Sequence, residues 1–398
     1  MSDAPRSSFL NTLGWGAYLA CSWTWCIGMF LPVLLIRDFG WWSFAVFAIP
    51  NCVGAAAMGW VMKKPGTSEA VVAAHGKAIR AFSIVTCLFQ FFFFYGFLRT
   101  NPVHFTDAAI FGAMFAGTFL GVAASKDSRW KHAGSWATFV LSLGMATWFL
   151  VEQGMPTFAN RPTDAFGLAM LAPVCIFGFA LSPYLDRTFL RAAQVDERDS
   201  APARFGVGFL ALFPVMIGIT LLYAQSLFGD ALPGTFGSAY HALAPMPIAL
   251  HIGAQLGFTG AVHSRLTFTP QPKPTERWWS MKFTRSQFFV MLAMMFAYGT
   301  SRTGYSIELV YRLFMSFYGL IFPAYVWICM LPTLRAPVKP SERRLVAFRL
   351  AVMCAGPFYY LGFIELKYWA LAPGVMIPLL AGLLVRKEPR GTTGTANA

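Results

Sequence analysis

Charged side chains are scarce in this chain. Asp, Glu, Lys and Arg together make up 12% of its 398 residues, against about 25% in an ordinary soluble domain. Acids are scarcer still, 17 against 31 bases. No hydrophilic stretch exceeds the segment at roughly 265–285, which leaves no room for a soluble catalytic domain. No GxxxxGK[ST] occurs, so ATP hydrolysis by a phosphate-cradling loop is not expected. CxxC spacing is missing too. The seven cysteines (Cys21, Cys26, Cys52, Cys87, Cys175, Cys329, Cys354) each fall in an apolar run and are read as small buried hydrophobes, without a metal or redox role. His104, His132, His241 and His263 lie near the ends of different runs, with no HExxH or HxxxD pattern, so an enzyme is not expected and no cofactor is implied. The opening "MSDAPRSSF" lacks the basic region and short apolar core of a cleaved signal peptide.

What is abundant is apolar sequence. Hydrophobic residues reach 57% and mean hydropathy is +0.55. A helix needs about 20 apolar residues to cross a bilayer. Twelve runs qualify or nearly so: 13–36, 41–62, 78–98, 105–125, 132–152, 165–186, 204–226, 242–264, 286–301, 305–331, 344–364 and 369–385. The connecting segments carry the bases unevenly. Those after even-numbered runs are rich in Lys and Arg, such as Lys63, Lys64, Lys77 and Arg80. Those after odd-numbered runs hold at most one: Arg37, Arg99, Arg161, none, Arg302 and Lys367. Positive charge marks the cytoplasmic side, so the pattern predicts twelve spans with both termini cytoplasmic, in a bacterial inner (plasma) membrane. The net charge of +14 is then an orientation signal with contact to anionic lipid, not a nucleic-acid footprint.

Runs one and six share an unusual design. The first, "GAYLACSWTWCIGMFLPVLLIRDFGWW", has a polar cluster from Ser22 to Thr24, then Gly28 and Pro32, and ends in Arg37–Asp38. The sixth, "APVCIFGFALSPYLDRTFLRA", has Gly178, Ser182 and Pro183, and ends in Asp186–Arg187. Five spans apart, the two run in opposite directions. Paired Gly/Pro-interrupted spans point to an inverted repeat with a midplane site. "GFALSPYLDRTFLRAAQ" resembles the unwound-helix segment of the sodium:solute symporter family: a glycine-containing stretch, a proline, an aliphatic pair and an arginine. "FAIPNCVGAAAMGWVM", with Pro50, Asn51 and Gly54, resembles that family's second core helix.

The resemblance implies an all-α membrane fold of the LeuT type. Two inverted five-helix repeats, 1–152 and 153–331, would be followed by two further helices and a cytoplasmic tail, 332–398. It also implies a cation-coupled secondary transporter of a small solute, bound between broken helices 1 and 6. Where sodium-coupled members place paired hydroxyls on the eighth core helix, this chain has "GAQLGFTGAVHS", with Thr259 and the more distant Ser264. The coupling ion stays open between sodium and a proton.

Candidate solute contacts are Trp23, Thr24, Trp25, Gly28, Gln90, Gly178, Ser182, His251 and Gln255. Candidate cation-coupling residues are Ser22, Thr259 and Asp186. His251, Gln255 and Thr259 are spaced by four, along one helix face that should turn inward. For this stripe, interhelical packing is the alternative. Asp186 could instead pair with Arg187 or Arg191 at the cytoplasmic exit. Glu308 and Arg312 suit an intrahelical pair, either an outer gate or a stabilising contact. Aromatics, hydroxyls and amides fit a neutral, zwitterionic or weakly ionic solute. A monomer or weak homo-oligomer is expected. A major facilitator-type transporter and a non-transporting sensor or assembly protein are the competing readings.

Overall fold

The structure is a computed structural model. It describes residues 4–100, 105–124, 128–155, 163–194, 200–228, 246–268 and 307–386. The ninth expected span, 286–301, most of the 265–285 segment, His104 and His241 lie outside the described residues.

Every described element is helical. The chain runs through α1 (Ala4–Trp23), α2 (Cys26–Phe39), α3 (Trp42–Val61), α4 (Thr67–Thr100), α5 (Phe105–Ala124) and α6 (Ser128–Gln153). It continues through α7 (Ala165–Leu181), a 3-10 turn (Ser182–Leu185) and the short α8 (Arg187–Ala193). Next come α9 (Ala201–Gly206), a π turn (Val207–Leu212), α10 (Phe213–Phe228) and α11 (Met246–Phe268). Helix α12 begins as Ile307–Ser316 and is carried by π turns Phe317–Ile321 and Val326–Met330 to a 3-10 turn at Leu331–Thr333. Helices α13 (Glu342–Tyr359) and α14 (Leu371–Val385) follow. Among the described residues eight helices are long and apolar enough to cross a membrane, nine if the bent pair α1–α2 is one span. Helices α5 and α11 stand at two further positions where the hydropathy pattern predicts spans.

The helix ends follow local chemistry. Asp164 accepts from the Gly167 amide at 2.8 Å and Ser200 from the Ala203 amide at 3.3 Å, capping α7 and α9. Gly40 and Gly154, with φ of 80° and 73°, close α2 and α6 in a conformation that glycine adopts without strain.

The burial pattern departs from that of a soluble protein in two ways. Val151, Leu384, Met353 and Trp42 are each at least 70% exposed. Meanwhile Arg37, Gln90, Asp186, His251, His263, Glu308 and Arg312 are buried. An apolar surface, around an apolar core that also holds the charged side chains, is what hydrocarbon solvent selects. The chain is an integral membrane protein.

Helices α1 and α2 lie in the middle. The first packs on α6, α11 and the π turn Val207–Leu212; the second packs on α10 and α3. Helix α3 lies close on α7 because Gly54 has no side chain: a Cβ there would sit 2.7 Å from the Ala180 Cα.

Three sequence expectations are corrected, one of them the placing of Arg204 among the bases of the segment after the sixth run. Asp186 is not exposed at the end of a span but fully buried, because the chain continues past it into the buried α8. Arg37 and Arg204 are not loop residues. Both guanidinium groups are buried, and Arg204 donates to the Ala192 carbonyl at 2.9 Å. Cys354 is exposed and Cys52 half-buried, since their helix faces point outward, toward lipid; the seven cysteines are free.

Candidate functional site

The first broken helix separates at Thr24–Trp25, ahead of the Gly28 and Pro32 that mark it in the sequence. Trp25 is extended (φ −107°, ψ −171°) and α1 and α2 meet at 54°. Local bonding favours the stop. The Thr24 hydroxyl donates back to the Ala20 carbonyl at 2.8 Å, beside the Thr24 amide at 3.0 Å, which completes the last turn before the break. A helix start leaves its first amides without intrahelical backbone acceptors, so the first turn of α2 points N–H groups at the break, with those of Cys26 and Ile27 against the Cys26 sulfur. Pro32 does not break α2, which runs through it to Phe39. Its effect is four residues back: Pro32 has no N–H, so the Gly28 carbonyl receives no helical hydrogen bond from it. Pro183 withholds the same bond from the Phe179 carbonyl.

The sixth run stays α-helical past Gly178 and changes at Ser182. It tightens to a 3-10 turn at Ser182–Leu185 and becomes extended at Asp186 (φ −75°, ψ 118°), which caps α8. Gly178 is within α7. A Cβ there would lie 2.8 Å from the Tyr318 carbonyl, so this glycine lets α12 approach.

Between the two breaks is a small cavity of about 10 Å³, room for about one water molecule, lined by Trp23, Trp25, Ile27, Gly28, Asn51, Phe179, Ser182 and Tyr318. Trp23 Nε1 donates to Asn51 Oδ1 at 2.6 Å, and the Ser182 hydroxyl donates to the Tyr318 carbonyl at 3.1 Å. The rings of Trp23 and Tyr318 each stand edge-on to Trp25 with centroids 4.9 Å away. Both Gly28 and Phe179, whose carbonyls the prolines leave without a helical donor, are in the wall. A second, apolar cavity of about 40 Å³ adjoins it and shares Gly178's neighbours Phe179 and Tyr318, with Leu31, Leu35 and Phe363 farther along.

Beneath this cavity lies a polar cluster. Asp186 Oδ1 accepts from both the amide and the hydroxyl of Thr188, each at 2.7 Å. Ser22 and Thr188 share a hydrogen bond of 3.1 Å. Asp186 Oδ2 faces His263 Nε2 at 3.6 Å, and His263 Nδ1 is 3.4 Å from the Ser83 hydroxyl. Thr259 donates to the Cys21 carbonyl at 3.4 Å. Asp186 therefore pairs with neither Arg187 nor Arg191; its basic partner is on α11.

Toward the other end of α2, four charged side chains with no exposed area form one network. Arg37 binds Glu308 through two nitrogens, at 2.9 and 2.6 Å, and Asp38 Oδ1 at 2.8 Å. Arg312 donates to Glu308 at 2.9 Å, to Asp38 Oδ2, and to the Phe363 carbonyl at 3.1 Å. The expected Glu308–Arg312 pair is thus half of a neutral quartet that ties α2 to α12 and to the turn after α13.

The structure sorts the sequence candidates into groups. Trp23, Trp25, Gly28 and Ser182 line the small cavity, Thr24 is at its break, and Gly178 is in the adjoining wall. Ser22, Thr259 and Asp186 are in or beside the polar cluster. Gln90, His251 and Gln255 line neither cavity. The Gln255 amide nitrogen donates to Ser142 at 2.9 Å; the polar atoms of Gln90 and His251 are buried without a hydrogen bond. Sequence reasoning missed Tyr318, Asn51 as a site residue, and His263. The last was findable: His251, Gln255, Thr259 and His263 continue one spacing of four, a stripe about 18 Å long at 1.5 Å per residue.

No protein-family model and no curated protein matches the chain. Among solved structures, it is similar to the manganese transporter of Eremococcus coleocola in complex with an aromatic bis-isothiourea substituted compound. The two share 14% identity with a TM-score of 0.47, over 97% of this chain and 95% of that one. Two point mutants of the same transporter are similar at 13% identity, with TM-scores of 0.42 and 0.43 and the same coverage.

Proposed function

We propose that the chain is a secondary active transporter of a small solute, bound between the Thr24–Trp25 break and the Ser182–Asp186 break. The observation that carries this reading is the cavity itself. Two interrupted helices, helix-start amides and proline-freed carbonyls meet at one aromatic-walled space inside the bundle. Irregular backbone at membrane depth is tolerated where it lines a cavity or is buried in protein, and transporters place such breaks at their binding sites. The wall supplies rings, an amide, a hydroxyl and backbone dipoles, which suit a neutral or zwitterionic solute.

The further architecture belongs to the same proposal: twelve spans, both termini cytoplasmic, and inverted repeats 1–152 and 153–331. With that topology the Arg37–Asp38–Glu308–Arg312 quartet closes the outer side and the Asp186 cluster sits on the inner side. A screen of amino acids, nucleobases, organic cations and divalent metal ions for thermal stabilisation of the purified protein tests the site. At least one compound should raise the unfolding temperature of the wild type and not of Ser182→Leu, which fills the cavity. No stabilisation by any class, or equal stabilisation of Ser182→Leu, counts against the site and favours a non-transporting role.

A further inference from the structure

We propose that Asp186 and His263 form a proton-binding site, taking up one proton between Asp186 Oδ2 and His263 Nε2. The use of that proton as the coupling ion rests on the transporter reading above.

Both side chains have no exposed area and face each other at 3.6 Å. Among the described residues, His263 is the one basic side chain within 4 Å of the Asp186 carboxylate. Oδ2 accepts no hydrogen bond and Nε2 makes none. The two atoms without partners are the two that face each other. Without a proton, the pair is a carboxylate and a neutral imidazole, a buried net charge of −1. A buried charge is strongly disfavoured unless it is paired. One added proton makes the pair neutral whether it rests on oxygen or on nitrogen, and the two groups titrate as a unit. No other bond forms or breaks; the proton comes from water and returns to it.

The surroundings do not supply an alternative cation. Tyr318 of α12 shares a hydrogen bond with Thr86 at 3.0 Å. The Cys26 thiol on α2 and the Cys87 thiol on α4 are neutral neighbours of that ring. Arg187 on α8 faces Arg80 on α4, Lys77 is exposed, and Arg204 on α9 is taken by the Ala192 carbonyl. A metal cation fits poorly. Oδ1 is already occupied by two donors from Thr188, leaving one carboxylate oxygen opposite an imidazole nitrogen, whereas hard cations gather about six oxygens. The pair is placed to report on the cavity. The His263 ring lies 6.2 Å from the Trp25 ring, which forms the wall, and Asp186 is the extended residue of the second break.

The test is pH-difference infrared spectroscopy of the full-length protein in lipid nanodiscs, from about pH 5 to 9, the range an imidazole commands. The wild type should show a carboxyl band and a histidine ring band changing in one joint step. Asp186→Asn should remove the carboxyl change, and His263→Gln the ring change. Should either variant fail to fold, the wild type alone decides, because a carboxyl and a histidine must titrate together in it. No carboxyl step in that range, or a step unchanged in Asp186→Asn, overturns the proposal. The measurement needs no solute. Solute movement driven by sodium alone, without this titration, would overturn the proton site and leave the transporter reading intact. The titration without movement of any solute would support the site and sink the transporter.

Discussion

Replacing Glu308 by Gln is the sharpest single perturbation of the buried quartet. The wild-type network holds two guanidinium groups and two carboxylates with no exposed area, summing to zero. Glu308→Gln takes the negative charge from the acceptor of three charge-assisted contacts, two from Arg37 and one from Arg312, and turns one acceptor oxygen into an NH2 donor. It leaves a net charge of +1 away from water. Removing one partner of a buried pair costs about 3–5 kcal/mol, which is about two to four powers of ten in the folding equilibrium. Arg37→Met should cost a similar amount, leaving −1. The double variant removes more contacts than either single one, yet restores neutrality. Asp38–Arg312 persists, and Arg312 keeps the Phe363 carbonyl and its place 5.0 Å over the Phe363 ring. Replacing a whole buried pair is often close to neutral, so the double should lose about 1–2 kcal/mol, far less than the sum of the singles. Equilibrium unfolding in mixed detergent micelles measures all three. Additive losses, or singles within about 1 kcal/mol of the wild type, would refute the claim that buried charge balance holds this end together.

The remaining predictions address packing and the cavity. Gly54→Val should prevent folded protein from accumulating, because its Cβ meets the Ala180 backbone, whereas Gly144→Ala, with nothing within 4 Å, should be neutral or stabilising by up to about 1 kcal/mol; size-exclusion yield separates them. Asn51→Leu strips the acceptor from a buried Trp23 N–H and should cost about 1–3 kcal/mol, read by the same unfolding titration. A membrane-permeant maleimide should label Cys354 ahead of the five buried thiols, with that fast phase lost in Cys354→Ser by mass spectrometry.

Hydropathy alone located the described helices, because an apolar run of spanning length has few other fates in a membrane protein. That these two runs break was legible as well, from Gly28 and Pro32 in the first and from Gly178, Ser182 and Pro183 in the sixth. Their positions were not. A proline frees a carbonyl four residues earlier, so Pro32 acts at Gly28 while the chain opens at Trp25. What pattern could not show is partnership across helices. Glu308 and Arg312 were readable as neighbours on one helix, but Arg37 and Asp38 are about 270 residues away in sequence, and no local rule joins them. Asp186 invited pairing with the adjacent Arg187. Tertiary packing instead gave it His263, the fourth member of a stripe whose first three residues were already visible.

Uptake into proteoliposomes, with proton and sodium gradients imposed separately, tests the central claim most directly. Accumulation of at least one solute from the panel is predicted under the proton gradient, with Ser182→Leu and Asp186→Asn each reducing it at least tenfold. Accumulation of no solute under either gradient, or uptake unaffected by Ser182→Leu, would contradict a solute site between the two broken helices.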